Sequence, residues 1–273
     1  MNLKRPLAVS LAAVSLIGTL AACGGTAATP EVTPAPAPEV QTLAASTSTS
    51  AAKAPKYVFL FIGDGMSYPQ IQSTSDYLGA LKDEDYWQAQ PSLDDNHGAV
   101  LDGPEYLNFM NFEAAGSAVT YDSNSFAPDS ASTATSIATG YKTYSGSINV
   151  DETGTVAYET IAEKLKEQKD WEIGVVTSVN LNHATPAAFY AHQASRSSYY
   201  DIGLELIASD FDYFAGGGLL KPDGQDEKKT SENLYARAEK AGYTVAMTQA
   251  EAEKITAKDD KVIIIDEHLA DSD

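Results

Sequence analysis

The sequence predicts an α/β protein, a three-layer α/β/α sandwich around a mostly parallel central sheet. Two observations carry this. Runs apolar on both faces recur at YVFLFI (57–62), IGVVTSV (173–179) and VIIID (262–266), a pattern that suits buried parallel strands. Between the later runs lie stretches with helical periodicity, and strands alternating with helices define this class. No internal repeat is present.

The elements follow in chain order. YVFLFIGDGM opens with six apolar residues and stops at Gly63, so it reads as a buried central strand ending in a glycine-flanked Asp64. The acidic, aromatic stretch from Tyr77 to Leu107 reads as a surface excursion. In APDSASTATSIATGYKT (127–143), Ala131, Ala134, Ile137 and Ala138 recur at helical spacing, Pro128–Asp129 opens the segment and Gly140 closes it. This is a tightly packed helix with Ser130 in its first turn. VAYETIAEKLKEQ (156–168) is an amphipathic helix. After the 173–179 strand, Pro186 suits the first turn of a short helix. A further helix is expected near Tyr199–Ala208 and a strand at 212–218. SENLYARAEKAG (231–242) is a helix with Ser231 as its N-cap. Thr248 and Glu251 form a capping box before the 262–266 strand.

The N-terminus is separate from this domain. Residues 1–22 join Lys4 and Arg5 to an apolar core and small residues, a secretory signal pattern. LAAC (20–23) resembles the bacterial lipoprotein processing box. The resemblance implies lipidation of Cys23 and a protein anchored on the periplasmic or cell-surface side of a membrane. Cys23 is the only cysteine, so no intrachain disulfide can form. Residues 23–55 are rich in Pro, Ala, Thr and Ser and read as a disordered tether of about 30 Å reach. The folded domain is expected over 56–273. With 18 basic against 38 acidic side chains, the net charge is −20. That balance excludes nucleic acid as a passive electrostatic partner.

The residues able to carry chemistry sit at strand ends and helix starts, where α/β proteins gather ligands. Ser130 lies among the free N–H groups of a helix start, which favour anions. Asp64 can bind a hard cation. His183 and Thr185, in NHATPAAF after the 173–179 strand, add nitrogen and hydroxyl donors. Beyond the signal the only arginines are Arg196 and Arg237. Arg237 reads as a surface residue, and Arg196 suits planar, bidentate anion recognition. His192 reads as a packing residue or one that supports the site. A serine, an acid, a His/Thr pair and an arginine together fit phosphoryl transfer. No G-x-S-x-G elbow surrounds Ser130, which disfavours an ordinary ester-hydrolase triad.

Three segments resemble the alkaline phosphatase family: FIGDGM, PDSASTATSIATGYKTYSG, and NHATPAAFYAH followed by Ser195–Arg196. The resemblance runs from about Tyr57 to Gly218. It implies hydrolysis of phosphate monoesters through a phosphoserine at Ser130, with Arg196 gripping two phosphate oxygens and Asp129 orienting it. It also implies two Zn2+ and one Mg2+, with Asp64, Ser130, His183 and Thr185 among the metal-binding residues, and it admits a homodimer. The family's later Glu, Asp and His motifs do not occur in this sequence. The expectation is therefore an N-terminal portion, with a sheet incomplete at its C-terminal side and little activity from these 273 residues alone. The alternative is a non-catalytic, surface-tethered protein that binds a phosphoryl ligand.

Overall fold

A computed structural model describes residues 55–82, 103–224 and 231–266. The chain divides into two units, 1–60 and 61–273. Residues 55–60 of the first unit form no helix or strand and are exposed. The segment read as a signal, Cys23 and nearly all of the segment read as a tether lie outside the described residues, as does most of the 77–107 stretch. Among the described residues, no helix is long and apolar enough to cross a membrane.

The second unit begins with α1 (Tyr68–Lys82) and a 3-10 turn (Asn108–Asn111). Then come α2 (Ser130–Thr139), α3 (Ile161–Lys169), β1 (Gly174–Val176), α4 (Ala184–Ala187), α5 (Tyr199–Ala208), β2 (Tyr213–Gly216), α6 (Leu234–Lys240), β3 (Thr244–Ala246), α7 (Gln249–Ala252) and β4 (Val262–Ile265). The four strands form one sheet in the order β1-β2-β4-β3, every pair parallel. Phe214 pairs in register with Val175 on one side and Ile263 on the other. This is the α/β class the sequence predicts.

The core is built around β2. Phe214 is fully buried, with Tyr190 edge-on at 5.5 Å and Phe211 stacked at 6.1 Å. Ile202 and Leu206 of α5, Leu234 of α6 and Ile263 of β4 close around it. α2 contributes only small side chains: Ala131, Ala134 and Ala138 are buried and face α4, where Ala184, Ala187 and Ala188 are buried in turn. Small residues on both helices permit this close approach, and three hydroxyls of α2 donate back along the helix. Thr133, Ser136 and Thr139 each donate to the carbonyl four residues back.

Several expectations need correction. The 57–62 run forms no strand, and Phe59 and Phe61 are 78% and 90% exposed. Apolar character marks a segment able to be buried, but a parallel strand also needs a neighbouring ladder, and no described strand pairs with it. Tyr77–Lys82 belongs to α1 rather than to an excursion, and Glu105 N–H donates to the Ser75 carbonyl at 2.9 Å. The 156–168 helix starts later. Thr160 caps it, with Thr160 Oγ1 accepting from Glu163 N and Thr160 N donating to Glu163 Oε2 at 2.8 Å. Asn233, not Ser231, caps α6, because Asn233 Oδ1 accepts from Tyr235 N at 2.9 Å. At α7, Thr248 caps as expected, its Oγ1 accepting from Glu251 N at 3.2 Å, and the Glu251 carboxylate accepts from Met247 N at 2.8 Å as well as bonding to Thr248.

Candidate active site

α2 begins at Ser130 because Asp129 caps it. Asp129 is extended, and its Oδ1 accepts from Ser132 N at 3.1 Å. The helix stops at Gly140, whose φ of 79° is the left-handed conformation a glycine adopts freely. Ser130 is therefore the first helical residue, and it is half-buried.

Asp129 does more than cap. Its Oδ1 also accepts from Gly146 N at 3.0 Å, and its Oδ2 accepts from Arg196 Nη1 at 2.8 Å. Burial alone would raise its carboxyl, but Gly146 N–H, Arg196 and Ser132 together hold it at about 2. The acid is thus ionised throughout the neutral range. Arg196 is fixed at three points: its backbone N–H donates to the Gly146 carbonyl at 2.7 Å, Nη1 to Asp129, and Nη2 to His183 Nε2 at 3.0 Å. A guanidinium carries five N–H donors. Among the described residues two are used, which leaves a fork for an oxyanion. The Arg196 side chain is 28% exposed, so that fork is reachable.

His183 accepts from Arg196 only as the neutral ring with its proton on Nδ1. Burial lowers its pKa, the Arg196 charge lowers it further, and Asp64 opposes both. Nδ1 is buried and has no hydrogen-bond partner among the described residues. Two residues away, Thr185 Oγ1 donates to Asp64 Oδ2 at 2.9 Å. The structure thus makes a trio, Asp129–Arg196–His183, and a pair, Asp64–Thr185, with Ser130 next to Asp129 in sequence.

The donor set tests which metal fits. Asp64 Oδ2 and Thr185 Oγ1, joined by a 2.9 Å hydrogen bond, are hard oxygens of the kind Mg2+ binds. These two hard oxygens fit part of a Mg2+ shell. Zinc needs several N/O donors per ion. Among the described residues no group of three or more His, Cys, Asp or Glu side chains is disposed to hold a metal, and His183 Nε2 is engaged by Arg196. The described residues do not fit a two-zinc centre.

Of the residues singled out from the sequence, the structure brings Asp129, Arg196 and His183 together, and Asp64 and Thr185 together; Gly146 and Asp122, which bond to the same elements, were not singled out. Gly146 has a φ of 83° and aims its N–H at Asp129. Asp122 is 4% exposed, and its Oδ2 accepts from Ser132 Oγ at 3.0 Å and from Ser145 Oγ. A glycine after Lys-Thr-Tyr-Ser was the available signal for the first, and nothing local marked the second. His192 packs between Glu163 and Glu205.

The parallel sheet and the Arg196 guanidinium beside the start of α2 place the chain in the α/β class. Comparison with known proteins gives the family: the alkaline phosphatase family profile matches residues 55–213, and the chain belongs to that family. It is 29% identical over 214 residues to alkaline phosphatase 4 of Bacillus subtilis, covering 76% of this chain and 41% of that protein. It is 28% identical over 213 residues to the alkaline phosphatase of Schizosaccharomyces pombe, covering 74% and 36%. Among solved structures, it resembles the cold-active alkaline phosphatase of a psychrophilic Shewanella species with 29% identity and a TM-score of 0.49, covering 68% and 42%. It also resembles the alkaline phosphatase of the Antarctic bacterium TAB5 with 31% identity and a TM-score of 0.47, covering 54% and 41%. The chain spans 41% and 36% of the lengths of these two curated relatives.

Proposed function

We propose that this chain carries the phosphoryl-gripping part of a phosphate monoesterase, with Ser130 as nucleophile. The observation that carries the reading is the Arg196 fork. It is held by Asp129, the residue that caps the helix on which Ser130 is the first residue. A phosphate monoester brings two negative oxygens to a site, and a pre-oriented guanidinium meets two of them without reorganising in the reaction. Asp129 keeps Arg196 oriented and stays ionised while it does so. His183 buttresses the fork from the other side. Ser130 Oγ bonds to phosphorus as the phosphorus–oxygen bond to the alcohol breaks, and the serine proton ends on the departing alkoxide; water then bonds to phosphorus, the bond to Ser130 Oγ breaks, and one water proton restores the hydroxyl as inorganic phosphate leaves.

Asp64 and Thr185 would hold Mg2+, which supplies charge neutralisation near the transferred group. No described side chain stands as a base for the Ser130 hydroxyl, and no step is assigned through zinc here. Two zinc ions, as in the resemblance, would require donors beyond the described residues. Export, lipidation at Cys23 and dimer formation are part of the same proposal and rest on the sequence. Incorporation of labelled fatty acid that Cys23→Ala abolishes would support the anchor.

The function test is turnover of a chromogenic phosphate monoester with zinc and magnesium added. The protein made from its complete reading frame should hydrolyse it, and Ser130→Ala should lower kcat by about a thousandfold or more. Parent-like rates in Ser130→Ala would refute the assignment.

A further inference from the structure

We propose that Asp122 is a positioning residue for the Ser130–Arg196 site, acting through the Ser145–Gly146 turn that holds both Asp129 and Arg196. Its functional meaning rests on the phosphatase reading above, but its geometry does not.

Asp122 is a buried acid with no basic partner among the described residues. Its Oδ2 accepts from two hydroxyls, Ser132 on α2 and Ser145 on the loop after that helix. Its Oδ1 accepts from Asn124 N at 3.0 Å. Asn124 in turn reaches the same loop, with its Oδ1 accepting from Ser145 N at 3.0 Å. Ser145 is therefore held twice, by its hydroxyl and by its N–H. The next residue does the work at the site. Gly146 N donates to Asp129 Oδ1 at 3.0 Å, and Gly146 O accepts from Arg196 N at 2.7 Å. Gly146 has a φ of 83°, and a Cβ there would touch nothing. Backbone conformation, not crowding, therefore selects glycine.

The chain of contacts runs from Asp122 to Ser145, to Gly146, and then to Asp129 and Arg196 together. A second branch passes through Ser132, whose hydroxyl lies 3.0 Å from Asp122 Oδ2 and 2.9 Å from Asp129 Oδ1. One buried carboxylate thus sets the turn that orients the acid and anchors the arginine. Burial would raise the Asp122 carboxyl, but the Ser145 hydroxyl, Asn124 N–H and Ser132 hydroxyl keep it lowered and ionised.

The test is amide hydrogen exchange, followed by NMR on the 15N-labelled 273-residue chain. Ser145→Ala and Asp122→Ala should each speed Gly146 exchange about tenfold, the worth of one lost hydrogen bond, while Phe214 in β2 keeps its parental rate. Asp122→Asn should restore Gly146 protection. Its amide can donate to the two serine hydroxyls, and its oxygen can still accept from Asn124 N–H. Should Asp122→Ala fail to fold, Ser145→Ala, on the exposed loop, decides. Unchanged Gly146 exchange in Ser145→Ala overturns the proposal, as does equal acceleration of Gly146 and Phe214, or Asp122→Asn behaving like Asp122→Ala. Turnover of the protein from its complete reading frame separates the two readings. If Ser130→Ala is inactive while Ser145→Ala keeps parental kcat and Gly146 exchange, the positioning role falls alone. If Ser130→Ala is fully active, the phosphatase reading falls and the Gly146 result stands.

Discussion

Replacing His192 by Gln should destabilise the protein at neutral pH and have little effect at alkaline pH. His192 Nε2 lies 3.4 Å from Glu163 Oε2 of α3, and Nδ1 lies 3.5 Å from Glu205 Oε2 of α5. Nε2 also faces the Tyr158 carbonyl at 3.1 Å. Burial pulls the imidazole pKa down, but the hydrogen bonds and charges of the two carboxylates push it up to about 10. The interval from the ordinary 6.5 to about 10 corresponds at face value to about 5 kcal/mol. The three side chains are 20%, 24% and 27% exposed, so solvent screening reduces this to about 2 kcal/mol. The folded pKa is raised. The stabilisation is therefore complete below about 6.5 and lost as pH rises through about 10. Urea unfolding followed by circular dichroism, at about pH 6 and about pH 10, reads both ends of that window. His192→Gln should be about 2 kcal/mol less stable than the parent at the lower pH, and the gap should close at the upper. Either no gap at pH 6 or an equal gap at both would refute the reasoning.

Three further outcomes are expected. Gly203→Ala should cost about 1–3 kcal/mol by overpacking, since a Cβ there would stand 2.4 Å from Leu234 Cδ1; an unchanged urea midpoint would contradict this. Asn233→Ala should cost about 1 kcal/mol through the lost α6 cap, whereas Ser231→Ala should leave the midpoint near the parental value. Asp129→Asn should alter acid sensitivity. Its folded pKa of about 2 lies below the ordinary 3.8, so its contribution is present above that value and lost as pH falls toward 2. Parent and variant should converge in urea midpoint over this range, and a constant difference would count against the ion pair.

Much of this architecture was legible in the sequence wherever several local signals agreed. Asp129, the alanine spacing and Gly140 all bound the same helix, and the structure has it at Ser130–Thr139. The Tyr199–Ala208 helix was clear for the same reason. The 57–62 run was misread because its composition says what could be buried but not which strand would lie beside it. β3 went unseen, since Thr244–Ala246 is only three residues long and offers no periodicity. Ser231 and Asn233 are both good capping types, and their sequence positions do not decide between them. In the structure Ser231 N donates to the Asp223 carbonyl while Asn233 turns to the helix. At the site, Arg196 was legible through its rarity and Asp129 through its turn. The Asp122 network was not, because its partners at Ser132 and Ser145 lie 10 and 23 residues away, and only the fold brings them together.

The most direct test of the central claim is to trap the covalent intermediate. The protein from its complete reading frame would be mixed with a phosphate monoester, zinc and magnesium, quenched in acid during turnover, digested and analysed by mass spectrometry. The account predicts one phosphoryl group on the peptide bearing Ser130, absent in Ser130→Ala and much reduced in Arg196→Ala. Turnover with no phosphoryl group on Ser130, or with one on another residue, would contradict it.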